Sequence, residues 1–331
     1  MDKYKLAPEF GGERKTTQED KIAIKVSGLT KYYGDFLALD RINFKVEKGQ
    51  IFGFLGPNGA GKTTTIRILT GILIPDKGKA EIMGIDVNKD PIGAKKIMGV
   101  VPEVCNVYTD LSAWENIILA GKLYRVRKGE RQKRAKQLLQ KFDLIKIKDE
   151  KTKKFSKGMR QRLILAMSLI HDPEILFLDE PTSGLDVKST HMIRKILQEL
   201  KLKGKTIFLT THNIEEANLI CDKVAIINRG KIVAFDTPER LKSAFKRTQS
   251  IEVSFDRMPS DIKWVEDIPH IDRYQILGDK LRLYTPDPDI VIRELTKYTE
   301  KNKLRFVSLS TLGPSLEDVF VKLTEEKETK L

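Results

Sequence analysis

Between Ile22 and Phe235, short apolar runs alternate with stretches of helical character. IAIKV (22–26) and INFKV (42–46) alternate apolar and polar positions, the pattern of strands with one face toward a core and one toward water. IFGFL (51–55), ILFLD (175–179) and TIFLT (206–210) are continuously apolar, as central parallel strands buried on both faces are. VAIINRGKIVAF (224–235) reads as one more strand. From Glu103 to Asp172 no proline interrupts a section rich in Leu, Lys, Arg and Gln, which predicts helices inserted between strands near 97–101 and 175–179. Beyond Pro238 the pattern changes to strands at 251–255 and 280–285, a helix over 289–303, a strand over 304–310 and a last helix over 315–326, capped by Ser315.

The fold class this predicts is α/β, with a parallel-sheet core, an antiparallel β part and a helical part, followed by a small α+β unit. The divisions fall at 21–240 for the first unit, with its helical part at about 104–172, and at 246–331 for the second. Residues 1–20 carry few large apolar side chains and the pair Gly11-Gly12, which predicts a mobile tail.

Charge changes the picture next. The 331 residues include 60 Lys and Arg against 46 Asp and Glu, a net charge of +14, which raises nucleic acid or an anionic membrane as partners. The excess is local. Residues 121–160 hold 16 basic side chains against Glu130, Asp143, Asp149 and Glu150, a net of +12, whereas residues 246–331 come to −1. No run approaches the roughly 18 apolar residues of a membrane-spanning helix, and the N-terminal residues show no signal-peptide core, so a cytosolic chain is expected. Two distant cysteines, Cys105 and Cys221, predict neither a disulfide framework nor a zinc site.

Two segments carry chemistry by themselves. Gly56-Pro57-Asn58-Gly59-Ala60-Gly61-Lys62-Thr63 fits G-x-x-x-x-G-K-[ST] between the strand IFGFL and the helical TTTIRILTG that begins at Thr63 and includes Thr64. Its glycines let backbone N–H groups wrap a phosphate, and the following helix adds its positive end. Lys62 is placed for the β- and γ-phosphates, and the Thr63 hydroxyl for Mg²⁺. The strand ending in Asp179-Glu180 would bring one carboxylate to the metal side and a second to polarise an attacking water as general base.

With these two motifs in place, residues 22–240 resemble the ATPase subunit of an ABC transporter. Phe155-Ser156-Lys157-Gly158-Met159-Arg160-Gln161-Arg162 is similar to the family's signature, 23 residues ahead of Asp179. The resemblance implies that Ser156, Lys157, Gly158 and Met159 face the γ-phosphate on a second subunit. Ser183-Gly184-Leu185-Asp186 resembles the D-loop that links the two sites, and also reads as a turn before an Asp-capped helix. His212, after Thr210-Thr211, resembles the switch histidine. Tyr33 resembles the adenine-stacking aromatic because it directly precedes Gly34, with Tyr32 as its competitor. Glu103 stands where the family usually has glutamine. An ionised glutamate only accepts hydrogen bonds and adds charge beside phosphates, so altered metal dependence is expected there.

The resemblance implies ATP hydrolysis with Mg²⁺ by two chains, most simply two copies of this one, closing around two nucleotides. Glu180 would be the base, Lys62, Ser156, Gly158 and His212 the stabilisers of phosphate charge, and Thr63, Asp179 and Glu103 the metal holders. A separate integral membrane permease subunit is implied, with this chain peripheral on the inner face of the cell membrane. Gly313-Pro314-Ser315-Leu316-Glu317-Asp318-Val319-Phe320 resembles the end of the accessory domain carried by drug, antibiotic and polysaccharide exporter ATPases. The alternative is a non-transport ABC ATPase acting on nucleic acid or the ribosome. Its usual marks, two cassettes or a long coiled-coil insertion, are missing, and the chain is only 7% aromatic with no base-stacking platform, so no nucleic acid is expected.

Overall fold

The computed structural model describes residues 21–104, 106–244, 249–259 and 261–325. The tail expected over 1–20 lies outside these residues, as does Cys105.

An antiparallel sheet comes first, in the order β2-β1-β4-β5, from β1 (Ile22–Tyr33), β2 (Phe36–Glu47), β4 (Lys77–Ile82) and β5 (Ile85–Asp86). Beside it a six-stranded sheet runs β10-β9-β3-β8-β7-β6, built from β3 (Ile51–Leu55), β6 (Met98–Val101), β7 (Ile175–Asp179), β8 (Thr206–Thr211), β9 (Lys223–Asn228) and β10 (Lys231–Asp236). Its strands pair in parallel except for the β9–β10 hairpin. Every residue of β3, β7 and β8 is buried, which is why these three segments are apolar throughout.

What joins the two sheets is aromatic. Phe44 of β2 stacks 5.8 Å from Phe52 of β3 and 6.0 Å from Phe208 of β8, with Phe54 and Phe177 completing the cluster. Each ring contributes about 1.5–3 kcal/mol by burial alone.

The first helices are α1 (Lys62–Leu69) and α2 (Pro91–Ile97), and between β6 and β7 the chain forms α3 (Ala113–Leu123), α4 (Lys128–Lys141) and α5 (Lys157–Ser168). α3 starts with a capping box: Ser112 Oγ accepts from the Glu115 amide, and the Glu115 carboxylate accepts from the Ser112 amide. Then come α6 (Val187–Leu202), α7 (Ile214–Ile220) and α8 (Pro238–Ala244). A second antiparallel sheet follows, ordered β12-β13-β11-β14, from β11 (Gln249–Phe255), β12 (Arg273–Leu277), β13 (Lys280–Thr285) and β14 (Phe306–Leu312). α9 (Pro288–Asn302) packs Val291 and Leu295 against Ile251, Val253, Leu281 and Leu283 of that sheet.

The last helix, α10 (Leu316–Glu325), does not share that core. Leu316 and Val319 are buried with Ala217, Ile220, Cys221 and Leu241 of α7, α8 and their flanks. Asp318, which caps α10 together with Ser315, is bridged by Arg273 of β12 at 3.0 Å, so this helix ties the second antiparallel sheet to the first unit. Cys221 is a free, fully enclosed thiol whose pKa burial raises.

Three sequence expectations change. The strand expected over 224–235 is a hairpin, broken where Arg229 and Gly230 both take positive φ (46° and 75°), as a two-residue type I′ turn requires. β1 and β2 reach much further than their alternating cores, to Tyr33 and back from Phe36. β12 was not anticipated.

The basic segment is also less uniform than its composition implies. Arg131 donates to the Val126 carbonyl at 3.0 Å, and Arg134 to Glu130 and the Ile170 carbonyl, so both act as staples of the helical part. Lys128, Lys133 and Lys136 of α4 stay exposed to solvent.

Candidate functional site

β3 ends where Gly56 begins a loop that returns to α1 at Gly61. A Cβ on Gly56 would lie 2.5 Å from the Ile227 carbonyl oxygen, so only glycine lets the loop leave the sheet this tightly. Gly61 caps α1 in a left-handed conformation at φ 110° with no side-chain hydrogen bond, leaving the amide groups of the first turn free for an anion. Ala60 is buried beneath the loop.

Lys62 opens α1 and is only 7% exposed. Its ammonium donates to the carbonyls of Gly56 (2.7 Å) and Pro57 (3.2 Å) and lies 3.4 Å from Glu180 Oε1. Its three protons thus face three oxygens.

Asp179 and Glu180 leave the sheet at the end of β7. Buried Asp179 accepts from the Thr210 hydroxyl of neighbouring β8 at 2.5 Å. Glu180 takes φ 50°, a left-handed conformation that costs a non-glycine residue about 1–2 kcal/mol. That turn swings its carboxylate back over the loop, where Oε2 meets His212 Nδ1 at 2.9 Å. Strain of this kind collects at working sites.

Lys62, Glu180 and His212 line one cleft of about 500 Å³, together with Tyr33, Pro57, Asn58, Gly59, Gly61, Thr63, Thr64, Glu103 and Ser183, whereas Gly56, Ala60 and Asp179 are buried and do not line it. Tyr33 reaches it and Tyr32 is not among the lining residues; Tyr32 is held by its amide on Asp76 at 2.6 Å. Phe36 and Ala38, which sequence reasoning passed over, line it as well. Phe36 pairs directly opposite Tyr33, so a second ring was legible in the turn Gly34-Asp35 between two strand-like runs. Thr63, Glu103 and Asp179 offer oxygen donors only, the set a hard divalent cation prefers. Among the described residues no group of three His, Cys, Asp or Glu side chains is placed to hold a metal by itself.

Ser156, Lys157, Gly158 and Met159 do not line this cleft. They start α5, where Ser156 Oγ accepts from the Met159 amide at 3.2 Å. Gly158 is pressed against α6: a Cβ there would meet Ser189 Oγ at 2.4 Å. Gly184, at φ 65°, lies beside Lys157, and Leu185 packs at the margin of the core. Asp186 caps α6 by accepting from the Ser189 amide and hydroxyl, both at 2.8 Å, and these bonds hold its pKa below the usual carboxylate value. The 156–159 and 183–186 segments therefore adjoin in one chain, and of them only Ser183 lines the cleft, while Lys157 lines a neighbouring pocket with Glu103 and Ser183.

The ABC transporter family model matches residues 39–183, and the model for the C-terminal domain of DrrA1-3-like ATP-binding proteins matches 237–324. The Nod factor export ATP-binding protein I of Ralstonia nicotianae is 36% identical over 301 residues, 91% of this chain and 93% of that one. The doxorubicin resistance ATP-binding protein DrrA of Mycobacterium tuberculosis is 33% identical over 326 residues, 95% and 97% of the two chains. Among solved structures, an ATP-binding subunit of an ABC transporter superposes with a TM-score of 0.63 at 30% identity, covering 67% of this chain and 93% of that one. A cassette solved as a dimer in a post-hydrolysis state with ADP and Pi gives 0.59 at 29%, covering 65% and 98%. These relatives favour the transport reading over action on nucleic acid or the ribosome. The relatives identify the chain as a member of the ABC transporter family, an ATP-hydrolysing subunit of its exporter branch with a DrrA-like C-terminal domain.

Proposed function

We propose that two copies of this chain close around two ATP molecules and that hydrolysis drives export through a separate integral membrane permease subunit. The observation that carries this reading is the meeting of Lys62, Glu180 and His212 over an uncapped helix start in one cleft. Lys62 exchanges its carbonyl partners for β- and γ-phosphate oxygens, and the amide groups of Gly59 to Thr64 wrap the phosphates. Glu180 takes the proton of the attacking water, and His212, held on Glu180, senses the γ-phosphate. Tyr33 stacks on the base. Ser156, Lys157, Gly158 and Met159 serve the partner's nucleotide, and Ser183 to Asp186 link the two sites. That residues 156–159 do not line their own chain's cleft supports that division.

Thr63, Asp179 and Glu103 would hold Mg²⁺, whose chemistry is to offset phosphate charge. With no group of three His, Cys, Asp or Glu side chains placed to hold a metal among the described residues, phosphate oxygens would be needed to complete the shell. Glu103→Gln removes one negative charge from the cleft wall. It should move the Mg²⁺ concentration for half-maximal ATPase by roughly threefold or more; an unchanged Mg²⁺ titration would remove Glu103 from the metal.

The organisation we propose is an ATPase unit over 21–240 and an accessory unit over 246–331, peripheral on the inner face of the cell membrane. No described helix is long and apolar enough to cross a membrane. We place the contact with the permease or its anionic lipid surroundings on the exposed cations of α4. The experiment is affinity purification from detergent-solubilised membranes: an integral membrane protein should accompany the chain and stimulate its ATPase. Reversing Lys128, Lys133 and Lys136 together should weaken recovery, each near-surface charge contributing about 1 kcal/mol. Salt-sensitive RNA recovered in place of a membrane protein would overturn the reading.

A further inference from the structure

Glu216 is fully buried in the first turn of α7, and nothing above gives it work. A glutamate at this third position usually turns back to the capping residue's own amide. Here Asn213 already donates that amide to Thr211 Oγ1 at 2.9 Å while its side chain accepts from the Glu216 amide at 3.0 Å. The carboxylate points elsewhere: Oε1 accepts from the Thr182 hydroxyl at 2.6 Å. Thr182 lies two residues beyond Glu180 and directly precedes the Ser183–Asp186 turn. Ser183 donates its amide to Glu180 and Leu185 to Thr182, both at 3.2 Å, so anchoring the hydroxyl fixes the whole turn.

A second feature is that the cluster leaves polar atoms unmatched. Arg194 of α6 brings Nε to 4.0 Å from Glu216 Oε1, yet Arg194 Nε and Glu216 Oε2 are both buried without a hydrogen bond. Leaving buried polar groups unmatched is costly. Burial also raises the pKa of the carboxyl, against the opposing pull of the Thr182 and Thr211 hydroxyls and of Arg194. α6, α7 and the turn thus converge on one carboxylate, whose helix starts two residues after His212.

We propose that Glu216 is a positioning residue that couples the His212 segment to the Ser183–Asp186 turn through Thr182, so that displacement of His212 by phosphate moves the turn. This rests on the reading of His212 and of that turn given above. Full-length Thr182→Val, Thr182→Ser, Glu216→Ala and the double variant Thr182→Val/Glu216→Ala test it through kcat, the KM for ATP and melting temperature. Thr182→Val and Glu216→Ala should each lower kcat about tenfold with KM within about twofold, because the link acts on turnover and not on binding. Thr182→Ser, which keeps the hydroxyl, should restore kcat, and the double variant should fall no further than either single one.

Wild-type kcat in folded Thr182→Val, a Thr182→Ser as slow as Thr182→Val, or a double loss equal to the product of the single losses would each overturn the proposal. Should Glu216→Ala fail to fold, the Thr182→Val and Thr182→Ser pair decides alone. His212→Ala separates the two levels. Intact turnover in that variant refutes the switch itself, whereas abolished turnover beside an unaffected Thr182→Val refutes only the coupling.

Discussion

Glu180→Gln binds ATP and loses steady turnover by roughly 10²- to 10⁴-fold, the range a positioned general base contributes. The amide is nearly isosteric and its oxygen can still accept from His212 Nδ1, now 2.9 Å away, so the left-handed turn at Glu180 keeps its geometry. What disappears is the proton acceptor. Binding persists because the carboxylate lies 3.4 Å from Lys62, and removing its charge leaves that ammonium freer for phosphate. Phosphate release beside equilibrium nucleotide binding checks both halves. Turnover within a few-fold of wild type would take the base role away from Glu180.

Lys62→Ala produces the opposite split: ATP affinity falls by about 10- to 100-fold, the loss of one charge-assisted hydrogen bond of about 1.5–3 kcal/mol. Two consequences follow from its surroundings. The Gly56 and Pro57 carbonyls lose their donor, and Glu180 is left buried at 9% exposure without its cation. The variant therefore also melts lower than wild type, because an uncompensated buried charge is destabilising. Calorimetric titration with ATP and a thermal melt read the two effects separately. Unchanged affinity would mean that Lys62 serves the loop carbonyls and not the nucleotide.

The parts of this site that were legible from sequence are those where one residue type alone satisfies the geometry. Glycine at 56 and 61 follows from a loop with no room or a positive φ, and the apolar runs of β3, β7 and β8 from strands buried on both faces. Tyr33 over Tyr32 followed from its place before Gly34. Where many residue types serve, the sequence was silent. The polar edge strand β12 (RYQIL) carries no continuous apolar signal.

Long-range partners were least visible. The spacing of Leu316, Val319, Phe320 and Leu323 marks an amphipathic helix, but nothing in it says that its apolar face belongs with Ala217 and Ile220. Arg131 and Arg134 counted as surface charge until their carbonyl partners were placed. Nothing in the sequence around Glu216 marks the Thr182 hydroxyl as its partner.

On the proposed reading, a second copy of the chain completes each ATP site. Sedimentation of full-length Glu180→Gln with saturating ATP and Mg²⁺ tests it most directly, since without the base the closed state cannot discharge itself. The expected result is a dimer holding two ATP per pair of chains, reverting to monomer when ADP replaces ATP or in the Ser156→Glu variant. Monomers that each retain ATP at saturation, or a dimer indifferent to Ser156, would contradict it.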